Sequence, residues 1–328
     1  MAVVLWLNEN DISKCLNEKS LICSVKRGFQ VLDPGSIEPK RIKVDLGLIH
    51  DAPKDAQAMI LVPGAVPGIP AYTVKVHAKY PNNPSFGLPA IQGVIQLFDS
   101  KTGKLLALLD SPVVTAHRTA AAGAVAVDVL AKDNATTVAM IGAGVQGEVH
   151  FRYLQHIRNV NMVNVYDLKE STAIGYAQRR RQEGITCNVC SSVEEAVRDV
   201  DIIICATWAK EPLIFLDMVK PGVHITTLGP DTAGKVEVAE DVILNSTFVC
   251  DHQQMAFTMG ALSTFHPDVH CQRVSTLTEV LNGRAKGRES NVDLTVFGAV
   301  GLPFQDLIAA WDIYNTATSL GIGQRLPD

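Results

Sequence analysis

Thr137-Val138-Ala139-Met140-Ile141-Gly142-Ala143-Gly144-Val145-Gln146-Gly147 decides the fold class. A short apolar run enters a glycine-rich turn, and helical patterning resumes behind it, the context in which G-x-G-x-x-G is informative. In that context Gly142 makes the tight turn, Gly144 lets backbone approach a pyrophosphate, and Gly147 lets helix pack on strand. The helix N-terminus then offers oriented N–H groups to phosphate. Asp167 lies 25 positions after Gly142, at the end of the next strand candidate, Met162–Tyr166. There a carboxylate can accept from adenosine ribose hydroxyls. The competing reading is a glycine turn that serves packing alone. A carboxylate repels a 2′-phosphate, so the expected cofactor is NAD. NADP stays open because Lys169 and Arg179-Arg180-Arg181 could offset the repulsion.

Outward from the loop, strand and helix signals alternate. Asp201–Cys205, Val223–Leu228 and Phe248–Cys250 are further apolar runs. Ser192 and Glu195 have capping-box spacing at the head of an intervening helix. Alternating βα units predict a doubly wound parallel sheet. The pattern starts at about Thr119 and stops at about Phe297, after which Gln305–Leu320 reads as one amphipathic helix. The first third is of another kind. Ile91–Phe98 and Leu105–Leu109 flank Asp99-Ser100-Lys101-Thr102-Gly103-Lys104, a hairpin signal. Ala71–His77 reads as a strand with Thr73, Lys75 and His77 on one face and Tyr72, Val74 and Val76 on the other. The expected class is α/β, a Rossmann-type doubly wound parallel sheet inserted into a smaller α+β domain. Its boundaries are 1–118 plus 299–328 for the smaller domain and 119–298 for the inserted one.

Composition narrows the function. The 328 residues are 47% hydrophobic and 19% charged, with a net charge of -5, which speaks against a nucleic-acid partner. The cluster Arg179–Arg181 reads as a solvated helix face. The start carries no positive region, and no apolar run approaches the roughly 20 residues of a membrane span. The seven scattered cysteines do not form a disulfide framework. The expected compartment is the cytoplasm.

Several further segments carry a likeness. Pro39-Lys40-Arg41, the strand with Lys75, Thr115-Ala116-His117-Arg118-Thr119-Ala120, the loop from Gly142, Gly229-Pro230-Asp231-Thr232-Ala233-Gly234-Lys235, and Thr295–Gly301 resemble, in order and spacing, the ornithine cyclodeaminase/μ-crystallin family. The resemblance implies a homodimer, with a substrate and dimerisation domain built from the two chain ends and a Rossmann domain between. It also implies hydride transfer between nicotinamide and the α-carbon of a small amino or imino acid. Arg41, Lys75 and Arg118 would then hold the substrate carboxylate, which guanidinium matches bidentately; Val300 would line the substrate, and Asp231 would be the acid/base, with Lys75 in electrostatic support or proton transfer. Arg118, Val145, Gln146, Thr207, Leu228, Lys235 and Ala299 would join Gly142, Gly144, Gly147 and Asp167 around the cofactor. Singly, the arginines read as surface ion-pair partners, Lys75 as an edge-strand charge and Asp231 as a turn residue.

Two departures from the family pattern bear on the reaction. Ile60 occupies the place of a glutamate that cyclodeaminases carry, and Gly298-Ala299 replaces a common Asp-Ser pair. Ile60, together with the retained Gly-x-Asp-x-x-Gly-Lys loop of Gly229–Lys235 from which μ-crystallin departs, resembles most the amino-acid dehydrogenase and imine-reductase branch. The Gly298-Ala299 exchange implies a smaller or less polar pocket floor. The alternatives are an ornithine cyclodeaminase that releases ammonia and a non-catalytic, crystallin-type binding protein. No metal site is expected. Cys187 and Cys190 have CxxC spacing without a second pair. In the looser cluster of Cys250, His252, His266, His270 and Cys271, the spacing from His252 to His266 gives no ligand pair on a shared turn. His117 is left between lining the site and facing solvent, and Trp208 between covering the nicotinamide and filling a loop.

Overall fold

The computed structural model describes residues 4–32, 40–44, 46, 59–80, 83–229, 234–265 and 274–327. They divide into two compact units, Met1–Thr119 with Leu302–Asp328, and Ala120–Gly301.

In the first unit, β1 (Val4–Leu7) leads into α1 (Glu9–Cys15) and α2 (Glu18–Val31). The Asn8 side chain accepts from the Asp11 N–H at 3.0 Å, satisfying one of the orphan donors that start α1. β2 (Ile42–Val44), β3 (Met59–Gly64), β4 (Ala71–Lys79), β5 (Ile91–Asp99) and β6 (Leu105–Asp110) pair antiparallel in sequence. The expected hairpin is β5–β6; Asp99 Oδ1 accepts from the N–H groups of Lys101 and Thr102 and sets its turn. The faces of β4 alternate as the sequence predicts, but it is the polar face that is most buried. Thr73 and Lys75 are 1% and 2% exposed, while Tyr72, Val74 and Val76 are half-buried. β4 is also a central strand between β3 and β5, so the edge-strand reading of Lys75 fails.

α3 (Ser111–Leu130) starts well before Thr119, where the change of pattern had been placed. It is long and apolar enough for a membrane span, contrary to the reading of the sequence, but 72% of its apolar window is buried inside the protein. That burial is the mark of a core helix.

The second unit holds a fully parallel sheet of eight described strands. They are β7 (Thr137–Ile141), β8 (Met162–Tyr166), β9 (Thr186–Val189), β10 (Ile202–Cys205), β11 (His224–Thr227), β12 (Thr247–Cys250), β13 (Val274–Thr276) and β14 (Thr295–Gly298). Between them run α4 (Val145–Leu154), α5 (Glu170–Gln182), α6 (Val193–Val197), α7 (Glu240–Leu244), α8 (Gln253–Thr258) and α9 (Leu277–Leu281). Every residue of β10, β11 and β14 is buried, as a parallel sheet covered on both faces requires. Half of the expected capping box forms on α6. Ser192 Oγ accepts from the Glu195 N–H at 3.1 Å, but Glu195 Oε2 turns to the Ser191 N–H at 2.7 Å.

The strand order is β13-β12-β14-β11-β10-β7-β8-β9. β14, absent from the apolar runs read in the sequence, sits between β11 and β12. The order reverses between β7 and β10, and ligands of open α/β sheets bind outside the strand carboxyl ends at such a reversal. Loops after β7 and β10 are therefore the place to look.

The chain then returns to the first unit as α10 (Pro303–Leu320) and β15 (Gln324–Leu326), giving the order β15-β1-β6-β5-β4-β3-β2. Gly28 lets α2 and α10 approach closely, since a Cβ there would lie 2.3 Å from Ile308 Cδ1.

Candidate active site

Each unit holds candidate residues of its own. In the second, Gly142 has φ +95°, a conformation that L side chains rarely adopt. A Cβ on Gly147 would lie 2.3 Å from the Gly142 carbonyl oxygen, whereas one on Gly144 would meet nothing within 4 Å. Two glycines therefore serve the fold, and Gly144 leaves an open face. Gly144 is also the N-cap of α4 and has no side chain to cap with, so the first-turn N–H groups lack an intrahelical acceptor. Beside them, Gln146 Oε1 is buried with no hydrogen-bond partner, while Val145 is 70% exposed. Asp167 Oδ2 accepts from the Ala143 N–H and Oδ1 from the Lys169 N–H, both at 2.9 Å, which fixes the acid against the loop and leaves each oxygen a further lone pair. Open backbone donors beside a fixed carboxylate fit a pyrophosphate and its ribose.

Arg179 and Arg181 are exposed, as the solvated-face reading expects, but Arg180 is not. Arg180 is 3% exposed, with its guanidinium over the rings of Phe151 and Tyr176 at 4.6 and 5.0 Å and its NH2 3.0 Å from Glu148 Oε2. Arg179 also binds Glu148, and Arg181 Nε donates to the Cys187 carbonyl at 2.9 Å. These arginines fasten α5 to α4 and β9, and Glu148 occupies two of them.

At the strand ends, Thr207 follows β10, and Leu228 and Gly229 follow β11. Thr207 donates through N–H and Oγ1 to Glu237 Oε1, and Leu228 and Gly229 donate their N–H groups to Glu237 Oε2. Lys235 is buried, with Nζ 4.4 Å above the half-exposed Trp208 ring. Ala299 N–H donates to the Thr227 carbonyl, and the Val300 and Gly301 N–H groups donate to Asp251 Oδ2 at 2.9 and 2.6 Å. The glycine in place of the family's Asp has a steric cause: a Cβ on Gly298 would lie 2.7 Å from Phe248 Cζ. Asp231 lies outside the described residues, as do His266, His270 and Cys271. Among the described residues no three His, Cys, Asp or Glu side chains converge as metal ligands. Cys187 and Cys190 are buried free thiols, raised by burial to about 11.

In the first unit the structure gathers Lys75 from β4 and Arg118 from α3 around an acid that the sequence reading did not single out. Asp306, in the first turn of α10, accepts from Lys75 Nζ at 2.6 Å and from Arg118 Nε at 3.0 Å. Lys75 Nζ is also 3.5 Å from Thr115 Oγ1, and Arg118 NH1 donates to Gln305 Oε1 at 2.9 Å. Asp306, Gln305, Lys75 and Arg118 are 1 to 6% exposed, and His117 beside them in sequence is buried too. Burial pushes the Lys75 pKa down to about 7; Asp306 opposes the shift, and the charges of Arg118 and Arg41 add to it. Burial would raise Asp306, but the adjoining Lys75 and Arg118 charges outweigh it and hold the carboxyl below its usual range. Two buried cations, Lys75 and Arg118, share the one carboxylate of Asp306. A ligand carboxylate supplies what buried cations require.

The missed acids left different traces. Gln305-Asp306 is a polar pair inside an otherwise apolar helical run, a signal the sequence contained. Glu237 had none, because its partners are backbone N–H groups and threonine hydroxyls.

Residues 7–321 match the family model described as the Ornithine cyclodeaminase/mu-crystallin family. The chain belongs to that family. A Delta(1)-pyrroline-2-carboxylate reductase of Bacillus cereus is 30% identical over 334 residues, covering 98% of this chain and 99% of its own. The structure of the Delta(1)-pyrroline-2-carboxylate reductase of Thermococcus litoralis, in complex with NADH and L-proline, superposes with a TM-score of 0.92 at 30% identity, over 98% of this chain and all of the other. An archaeal alanine dehydrogenase dimer with bound NAD superposes with a TM-score of 0.91 at 25% identity, over 99% of each chain.

Proposed function

We propose that this chain is an NAD(H)-dependent oxidoreductase moving a hydride between nicotinamide and the α-carbon of a small amino or imino acid. The observation that carries this reading is the cation-rich cluster around Asp306, in a chain whose relatives reduce an imino acid or oxidise alanine. Residues 1–119 with 302–328 form the substrate-binding and dimerisation part, and 120–301 the cofactor part. The dimeric state of the archaeal relative supports a homodimer. Free thiols at Cys15, Cys23, Cys187, Cys190, Cys205 and Cys250 suit a reducing cytoplasm.

Gly142, Gly144, Val145, Gln146 and Gly147 hold the pyrophosphate, and Asp167 the adenosine ribose. Arg118, Thr207, Leu228, Lys235 and Ala299 complete the cofactor's surroundings. With Glu148 engaging Arg179 and Arg180, the acid at Asp167 is left to disfavour a 2′-phosphate, so NAD is the cofactor over NADP. When bound, the nicotinamide supplies or accepts the hydride.

Arg41 and Arg118 orient the substrate carboxylate, with Val300 against the substrate body. Lys75, brought to about 7 by burial, carries a proton that moves near neutral pH, where general acid/base catalysis is most effective. Asp231 handles the proton on the substrate nitrogen. Ile60, which pairs with His77 across β3 and β4, offers no carboxylate where cyclodeaminases have one, so the chain stops at amine and imine redox chemistry.

The test is a screen of NADH oxidation with cyclic imino acids and with 2-oxo acids plus ammonia, beside ornithine with NAD. NADH consumption matched to amino-acid formation is expected. Conversion of ornithine to proline and ammonia with no NADH turnover on any imine would overturn the reading.

A further inference from the structure

Glu237 is completely buried, and its carboxylate accepts five hydrogen bonds. Oε1 takes the Thr207 N–H at 2.7 Å and Thr207 Oγ1 at 2.8 Å. Oε2 takes Thr227 Oγ1 at 2.6 Å, the Gly229 N–H at 2.9 Å and the Leu228 N–H at 3.1 Å. Among the described residues no cation joins these partners; the donors are dipoles, and all of them lie where β10 and β11 end. The backbone of Glu237 is fixed too, its carbonyl accepting from the N–H groups of Leu213 and Ile214 at 2.9 and 3.2 Å. The two loops close so tightly on the acid that a Cβ on Gly229 would sit 2.7 Å from both Glu237 Cδ and the Thr207 carbonyl oxygen.

A packing role alone does not call for a carboxylate here, since a buried charge is costly unless every lone pair is met. What the carboxylate does, and an apolar side chain cannot, is hold two separate strand-end loops in one geometry through shared acceptors. These are the loops that carry Thr207 and Leu228 and lead into Asp231. We infer that Glu237 is a positioning residue that locks the cofactor-side loops after β10 and β11 into their working geometry. The inference rests on the proposed NAD(H)-dependent reading.

The same sheet supplies a control. Asp201 accepts from the Thr136 and Thr137 N–H groups at 3.1 and 3.3 Å and pairs with Lys132 and Lys220, but it does so at the amino ends of β7 and β10. A merely structural carboxylate should behave like Asp201.

The experiment titrates NADH fluorescence and measures steady-state kinetics for wild type, Glu237→Gln, Glu237→Asp, Thr207→Val and Asp201→Asn, with melting curves for each. Glu237→Gln keeps the shape but turns a donor toward donors. It is expected to weaken NADH binding about tenfold and lower kcat on the order of 10²-fold, the scale of a small misplacement near the reacting groups. KM for the imino or amino acid stays within about twofold, because that substrate's carboxylate is held elsewhere. Thr207→Val weakens NADH binding in the same direction, and adding it to Glu237→Gln costs little more, the coupling expected of one shared network. Asp201→Asn melts earlier with unchanged NADH affinity. If Glu237→Gln lowers the melting temperature yet binds NADH and turns over like wild type, Glu237 is structural only and the inference falls. Should Glu237→Gln fail to fold, Thr207→Val with wild-type NADH affinity sinks it equally. Wild type that does not bind NADH would overturn the functional reading first, and the inference with it.

Discussion

Asp306 and Glu237 are both buried acids, yet they are satisfied in opposite ways. Asp306 is met by two charges, Lys75 at 2.6 Å and Arg118 at 3.0 Å. Glu237 is met by five neutral donors. In the first arrangement two buried cations share one acid, which suits a ligand that brings its own carboxylate. The second leaves the acid internally satisfied and fixes loop geometry. On the proposed reading, one acid organises cations for a substrate, and the other organises backbone for a cofactor.

The largest effect should come from breaking the charged arrangement. Asp306→Ala leaves Lys75 and Arg118 buried without their acid, a change that costs about 3–5 kcal/mol. Chemical denaturation should show that loss, and turnover should be abolished. A stable, active variant would mean that the cluster is not what holds Lys75 and Arg118.

Next come the glycines. Gly147→Ala places a Cβ 2.3 Å from the Gly142 carbonyl, and overpacking of that kind costs about 1–3 kcal/mol. Gly144→Ala meets open space, so melting should hardly move while NADH affinity falls. Equal melting losses in the two variants would contradict the division of roles between them.

The pH dependence separates the two acids further. Lys75, at about 7 in the folded protein, ionises near 10.4 in an unfolded chain. Between those values the unfolded chain binds more protons, so stability rises with pH. Wild type should therefore gain on Lys75→Met from pH 7 upward and run parallel to it below. Asp306, held below its usual range, contributes stability that is lost only as acid titrates it. Denaturation midpoints across pH check both signs. The smallest effect belongs to Arg179→Ala: its partly exposed pair with Glu148 contributes less than about 1 kcal/mol, and binding assays should show NADP no better or worse accepted.

This contrast also explains what the sequence made legible. The strand, glycine loop, helix and Asp167 lie within one local stretch, so the physics of that stretch was readable from spacing. β14 was harder, because it enters the sheet between β11 and β12 after long intervening segments. The Asp306 cluster was harder still, since Arg118 and its acid are 188 positions apart and only folding shows that they share a charge. Lys75 read alone as an edge-strand charge and was marked for the site only by the family resemblance, until β4 proved to bury its polar face. Arg180 was misread for the converse reason: helical spacing marks a charged face as solvated, and nothing local signals the Phe151 and Tyr176 rings that cover it.

The central claim, that hydride passes between nicotinamide and the substrate α-carbon, is tested most directly by isotope transfer. The enzyme would be given NADH deuterated at C4, on each face in turn, with a cyclic imino acid or a 2-oxo acid plus ammonia, and the amino-acid product read by NMR. One face should deliver a single deuterium to the α-carbon. Product formed without deuterium at that carbon from either face would contradict the account.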